Sequence, residues 1–494
     1  MYKQSGGQTS IFDDPKNFIV ADLDPENRWC KMASMIPWDL IDKKYSEQFK
    51  GSIVGNPAKA SRMAFGAHII KEKYGLSDDE TVEHIKESPY LQWFIGMPKF
   101  SHKAPFDGST MTWFRKRLTP EMLSEINAYI IGRQKIKDNH HDDDSGAGSD
   151  SNGEEGGSDE NTEVKSKGTL ILDATCAPAD IKFPTDISLL NTGRESLEAI
   201  IADLHTAAAD GEKKPRTYKN RARKEYLRFA RNRKPTIKVI RKAIKKQLGY
   251  VRRDLAIAER LLEVGGRLTE KQQNRLVTIK KVYAQQDEMY REKKHKVEDR
   301  IVSIYQSWVR PIVRGKANAP VEFGAKVSIS MVDGFAAIER LSWDAYNEGT
   351  TLQETAEKYR FDTGFYPERI LADKIYRTRD NLAYCKKNSI SMNGPKLGRP
   401  HKDKQVYRTQ CLQEKMEAGE RNAVESKFGE GKRTYGLGLV YAKLKETSET
   451  SIHLTFIVMN LEKRLRVFLL PILKTWKNII FMFRIMIKGV LISA

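Results

Sequence analysis

Cysteine is scarce in this chain, and its spacing argues against the chemistry it most often supports. Cys30, Cys176, Cys385 and Cys411 are the only four among 494 residues, with no CxxC pair. No zinc-type Cys/His spacing occurs, and a reducing cytosol fits. A long uncharged apolar run is also missing. Residues 467–494 are rich in Phe, Ile, Leu and Met, but Lys474, Lys477, Arg484 and Lys488 interrupt them. A spanning helix wants about 20 mostly uncharged residues, and a charge near mid-bilayer costs at least about 2.5 kcal/mol. The tail, 461–494, is therefore expected to be a basic amphipathic helix packed on the core or on a partner, and no membrane partner is expected. Met1 to Asn17 is polar, so no secretion signal is expected there. Acids are locally absent too: between Lys213 and Arg253, Glu225 is the only one.

What is present is positive charge and enough apolar material for a core. Hydrophobic residues make up 39% and the net charge is +20. The excess calls for a polyanionic partner, most simply nucleic acid. At about 150 residues each, the length allows roughly three domains.

Residues 25–135 carry helical periodicity with basic edges and form an expected all-helical domain for DNA binding or dimerisation. Ser77-Asp-Asp-Glu80 has the capping-box pattern, followed by Val82 and Ile85 on one side. Residues 138–167 are acidic, rich in Gly and Ser, and lack apolar periodicity. Such a stretch cannot offset its ordering entropy and is expected to be a disordered linker. His140 to Asp144 fits that solvated linker better than a cation site.

The period changes at Gly168-Thr-Leu-Ile-Leu-Asp173, a short apolar run expected to be a buried strand ending in Asp173. From about 187 to 316 the chain is expected to be helical and dense in cations. Eleven Lys and Arg fall within Lys213–Lys234, among them Arg221, Arg223, Lys224, Arg231 and Arg233, with Tyr218, Tyr226 and Phe229 interleaved. An ordinary solvated helix balances its charges; this one suits a phosphate backbone. Two strands, at Lys326–Gly334 and Phe335–Trp343, follow as a hairpin. Then come a helix at Thr351–Phe361 and a strand, Glu368–Asp373, that again ends in an aspartate. Val406–Lys432 is expected to be mostly helix, and Leu437–Asn460 to continue as helical core. Strands alternating with helices over 168–460 make an α/β core with a mixed sheet and a large helical insertion.

Three acids stand out by position. Asp173 and Asp373 each close an expected strand, where ligands bind in open α/β sheets. Glu425 lies on a helix that could lean over the same edge, four residues after Arg421 and seven before Lys432. Two aspartates and a glutamate meeting there can hold two divalent ions for in-line phosphoryl transfer, and oxygen ligands favour Mg²⁺ or Mn²⁺. Asp180, Asp186, Glu195, Asp333 and Glu430 compete for the role, and spacing does not exclude them.

Ile-Leu-Asp173-Ala-Thr, Leu-Ala-Asp373-Lys-Ile-Tyr376 and Arg421-x3-Glu425-x6-Lys432 together resemble the catalytic core of bacterial insertion-sequence DDE transposases. Pro37-Trp-Asp-Leu-Ile, Lys59-Ala-Ser-Arg-Met-Ala and Ser88-Pro-Tyr-Leu-Gln-Trp-Phe-Ile-Gly resemble their N-terminal domain. The resemblance implies an RNase H-like fold, with the first aspartate on the first strand, the second after the fourth and the glutamate on a later helix. It implies Asp173, Asp373 and Glu425 as catalytic metal ligands for two Mg²⁺ or Mn²⁺ ions. Lys432 would contact a phosphate near the element end, and Arg421 would help place the terminal nucleotides. One position departs from the pattern: Ala418 stands where the family often has Tyr, which removes a group able to stack on DNA. The helical insertion after the first strand differs from better-known members, whose insertion is β-rich and later.

The expected function is DNA transposition: binding of element ends, metal-dependent cleavage, and strand transfer into target DNA by a homodimer in the prokaryotic cytoplasm, at the nucleoid. A metal-dependent nuclease of the same fold and a non-catalytic DNA-binding protein are the alternatives.

Overall fold

The computed structural model describes residues 22–49, 57–133, 166–208, 215–313, 321–395 and 403–492, with side chains up to 468. Ser166 and Lys167 apart, the stretch 138–167 expected as a linker lies outside the described residues, as do Lys213 and Lys214.

The N-terminal part is helical, with α1 (Arg28–Ser34), α2 (Trp38–Ser46), α3 (Ser61–Tyr74), α4 (Asp78–Glu87), α5 (Pro89–Phe94), α6 (Gly108–Arg117) and α7 (Pro120–Ile130). Local chemistry sets several of these boundaries. Gly75 ends α3 in the left-handed region at φ 67°. The capping box at the start of α4 forms as expected: Glu80 N donates to Ser77 Oγ at 3.2 Å, and Ser77 N donates to Glu80 Oε2 at 2.7 Å. Thr119 caps α7, with Pro120 in the first turn, where its missing N–H costs nothing.

The second part is built on β1 (Thr169–Pro178), followed by α8 (Asp186–Ala208), α9 (Lys219–Ala230), α10 (Ile237–Glu263) and α11 (Glu270–Glu292). Then come β2 (Arg310–Val313), β3 (Val321–Val332), β4 (Phe335–Ser342), α12 (Leu352–Thr363), β5 (Arg369–Ala372), α13 (Arg379–Lys387), β6 (Ser391–Met392), α14 (Lys404–Thr434) and α15 (Lys445–Ile492). The sheet order is β2-β3-β1-β5-β6, with β4 also on β3. β1 runs antiparallel to β3 and parallel to β5, so the sheet is mixed. The β3–β4 hairpin turns through Asp333 and Gly334, both at positive φ (50° and 75°), as a tight two-residue hairpin requires.

Four expectations change. β1 does not end at Asp173 but continues through Ala-Thr-Cys-Ala-Pro to Pro178, paired with β3. Those small residues are nearly all buried, so no alternation betrays a strand. The insertion is not helical to 316: its helices stop at Glu292, and Arg310–Val313 form β2 on β3. Residues 437–444 are not helical; Val440 bridges to Ala179 beyond β1. The tail is no separate helix, because α15 runs unbroken from Lys445 into it.

One apolar cluster joins the N-terminal helices, α15 and one face of the sheet. Leu454, Ile457, Val458 and Leu461 of α15 are fully buried there, each contributing roughly 1.5–3 kcal/mol. A polar stitch fixes the register. Asn460 Nδ2 donates to Asn127 Oδ1 on α7 at 2.8 Å and to Ala336 O on β4 at 2.7 Å. Ala336 N in turn donates to Asn460 Oδ1 at 3.0 Å. A second cluster lies under α12 and α13 on the opposite sheet face, around Leu170, Leu172 and Ile370.

The insertion has its own core, in which Asp254 is fully buried with no hydrogen-bond partner on either carboxylate oxygen among the described residues. Burial pushes its carboxyl up to about 7, and Glu198 adds to the rise against Arg194 and Arg253. A carboxyl raised in the folded state favours the protonated form. The fold therefore loses stability as pH climbs from about 4, the unfolded value, to about 7. Asp254→Asn is expected to raise the melting temperature at pH 8, by the equivalent of roughly 1–3 kcal/mol. Thermal melts at pH 5 and pH 8 should show the gain shrinking at the lower pH; an equal gain at both would refute the assignment.

Candidate active site at the carboxyl ends of β1 and β5

The parallel pairing of β1 with β5 runs Thr169↔Arg369 to Leu172↔Ala372. Asp173, still within β1, and Asp373, the first residue past β5, come next after the last paired residues, Leu172 and Ala372. Each uses one oxygen locally. Asp173 Oδ1 accepts from Ala174 N at 2.8 Å, and Asp373 Oδ1 accepts from Lys374 N at 2.7 Å, capping a 3₁₀ turn over Lys374–Tyr376. Burial pushes the Asp173 carboxyl up to about 6 against the pull of Arg421, and the charges of Glu348 and Asp373 add to the rise. Asp173 is partly buried and Asp373 exposed; an acid raised by burial beside a second acid marks a candidate functional site.

α14 lies across the face of the sheet from which both aspartates project. Val424, Lys427 and Phe428 are buried and anchor it, which turns Glu420, Arg421 and Glu425 toward the site. Arg369 Nη2 meets Glu420 at 2.9 Å. Arg421 bridges two site acids: Nη1 stands 3.6 Å from Asp173 Oδ2 and Nη2 donates to Glu425 Oε1 at 2.8 Å. The Glu425 side chain is 57% exposed against 15% for Asp173, so it stands at the rim. Lys432 is half-buried near the end of α14, about 10 Å further along the axis. Ala418 is exposed one turn before Arg421, where a Tyr would project into solvent.

The competing acids are engaged elsewhere. Asp180 pairs with Lys443, Asp186 with Arg300 at 2.7 Å, Glu195 with Arg194 at 3.3 Å and Glu430 with Arg466 at 2.7 Å. Asp333 turns the β3–β4 hairpin. One acid that the sequence pattern did not single out, Glu348, lies close enough to Asp173 to raise its pKa. No sequence signal marks it, because tertiary packing alone brings it there.

The oxygen-only donors suit a hard divalent ion. Among the described residues, however, no group of three or more His, Cys, Asp or Glu converges tightly enough to hold a metal. Asp173 and Asp373 fit as neighbours, while Arg421 stands between Asp173 and Glu425.

The basic residues of the insertion are solvent-facing. Arg221, Arg223 and Lys224 on α9, and Arg231 and Arg233 just beyond it, are all exposed. Glu225 is satisfied by Lys246 at 2.9 Å and by the Tyr250 hydroxyl at 3.0 Å, with Arg221 at 3.7 Å. Tyr218 lies between Arg216 and Arg253, 5.4 and 4.6 Å from its ring centre. Among the described residues no helix is long and apolar enough to cross a membrane.

Two family models match the chain: a transposase DDE domain over residues 370–462 and a transposase domain (DUF772) over residues 18–117. They indicate an insertion-sequence transposase. The DDE match takes in Asp373, Arg421, Glu425 and Lys432, and a domain of that kind implies an RNase H-like fold. The DUF772 match spans the helices from α1 to α6. The curated "Uncharacterized protein ORF8 in nfe locus" of Rhizobium meliloti is 38% identical over 124 residues, 25% of this chain. The chain spans 58% of the length of that relative. No solved structure matches.

Proposed function

We propose that this chain acts as a DNA transposase, binding the ends of its element and catalysing metal-dependent DNA cleavage and strand transfer at Asp173, Asp373 and Glu425. The observation that carries the proposal is that Asp173 and Asp373 each follow the last paired residues of adjacent parallel strands, on a sheet that α14 meets through Arg421–Asp173 and Glu420–Arg369. Mg²⁺ or Mn²⁺ bound there would activate a water or 3′-hydroxyl and stabilise the leaving oxygen. Asp173 and Asp373 would hold the ion, with Glu425 from the rim as a third ligand. Arg421 would turn from the carboxylates to a phosphate of the terminal nucleotides, and Lys432 would hold a phosphate further along α14. The exposed cations of α9 grip the DNA backbone without reading sequence. A homodimer follows from the need to bring two ends together.

A pre-cleaved element end incubated with target DNA and Mg²⁺ tests this. Joined products are expected. Cutting without joining would assign a nuclease of the same fold, and DNA binding without either would assign a non-catalytic role.

A further inference from the structure

A cavity of about 570 Å³ opens between the N-terminal helices and the second part of the chain. Its walls come from the end of α3, the start of α4, α6, residues 436–442 and α15. Val440, in one wall, bridges to Ala179, six residues beyond Asp173 along β1. The cavity therefore lies about 20 Å from that aspartate and is no part of the site around it. One lining side chain has no role in holding the fold. Glu72 is 9% exposed, yet no hydrogen bond or ion pair holds its carboxylate among the described residues. Buried acids are ordinarily paired. Burial pushes this carboxyl up to about 7, against Lys71 and Arg115, and Asp78 adds to the rise. Gly436 keeps the space before it clear: a Cβ there would stand 3.5 Å from Glu72 Oε2.

Hydrogen-bond donors are in excess beside this acid. Lys71 Nζ and Arg115 Nη2 both go to one oxygen, Asp78 Oδ1, at 2.5 and 2.7 Å. Arg115 Nε has no partner among the described residues. Much of the remaining lining is apolar, with Leu76, Leu437, Leu439 and Ile452. Tyr441 lines the cavity too and is 71% exposed, so its ring stands at the mouth. A guest that satisfies these groups presents a donor and an acceptor side by side on a flat apolar body.

We infer that this cavity binds a nucleobase, offered by a free nucleoside or by an unpaired nucleotide of DNA. An exocyclic amine donates to Glu72, and the neighbouring ring nitrogen accepts from Arg115 or Lys71. The leucines and Ile452 enclose the ring, and Tyr441 gives it a face to stack on. The volume lies within the range of small-molecule sites. An aliphatic acid would leave Glu72 unsatisfied, and a sugar would leave the apolar walls unmatched. Neither a metal ion nor DNA cleavage is needed for this binding, so it stands or falls apart from the chemistry at Asp173 and Asp373.

The fluorescent base 2-aminopurine, added to the full chain in three forms, tests it: the free riboside, a duplex carrying it as a single-base bulge, and a duplex carrying it paired with thymine. Saturable quenching of the riboside would support a free nucleoside as the source. Quenching confined to the bulged duplex would support an unpaired nucleotide of DNA. In either case Glu72→Leu is expected to weaken binding of the quenched probe at least about tenfold, and Tyr441→Ala to weaken it as well. The paired duplex should bind wild type and Glu72→Leu alike. Glu72→Leu removes an unpaired buried carboxyl and should melt no earlier than wild type, which keeps the comparison clean. Quenching of neither the riboside nor the bulged duplex would overturn the inference. So would wild-type affinity in Glu72→Leu, or a loss shared equally by the paired duplex.

Discussion

Asp373→Asn is expected to lower cutting and joining about a thousandfold or more, while DNA affinity stays within about twofold of wild type. A thousandfold corresponds to about 4 kcal/mol of barrier, within reach of losing one charged ligand of a metal-dependent phosphoryl transfer. The substitution isolates charge from fold. Asp373 caps its 3₁₀ turn through one oxygen, which accepts from Lys374 N, and Asn caps such a turn nearly as well. Its side chain carries no ion pair among those described, so nothing is stranded. Cleavage of a labelled end and a filter-binding isotherm, measured on the same preparation, give the two numbers. Normal cutting by Asp373→Asn would refute the active-site assignment.

The second large effect is electrostatic. Replacing Arg221, Arg223, Lys224, Arg231 and Arg233 with Gln should flatten the dependence of log affinity on log salt by up to about 4.5, at about 0.9 for each phosphate no longer neutralised. Near 50 mM salt, affinity should fall by at least about a hundredfold. All five side chains are exposed, so the insertion keeps its core of Ile244, Leu248, Val251 and their neighbours. Glu225, the lone acid, keeps Lys246 and Tyr250. Neutralising the five thus removes charge without orphaning a partner. An unchanged slope would reduce α9 to a solvated arm.

Much of this was legible along the chain because the signals are local. The capping box at Ser77, the hairpin at Asp333-Gly334, and the short apolar runs before Asp173 and Asp373 each act within a few residues. The extension of β1 past Asp173 was hidden because Ala174, Cys176 and Ala177 are small and buried, leaving no period to read. Residues 437–444 look apolar enough for helix, yet their backbone is claimed by β1: Val440 N donates to Pro178 O at 2.8 Å and Asp180 N donates to Val440 O at 3.0 Å. Arg421 could be placed one turn from Glu425, but its reach to Asp173 depends on how α14 crosses the sheet. Glu348 lies 175 residues beyond Asp173 in sequence, and nothing along the chain joins the two.

The asparagine stitch gives the molecule a mechanical property. Asn460 clasps α7 on one side and β4 on the other, and β4 is paired with β3, the strand beside Asp173. A load applied to the N-terminal helices therefore travels through α15 to β4, β3 and the strand that carries Asp173. The proposed site is thus coupled to the N-terminal helices through packing and hydrogen bonds that bypass the connecting chain.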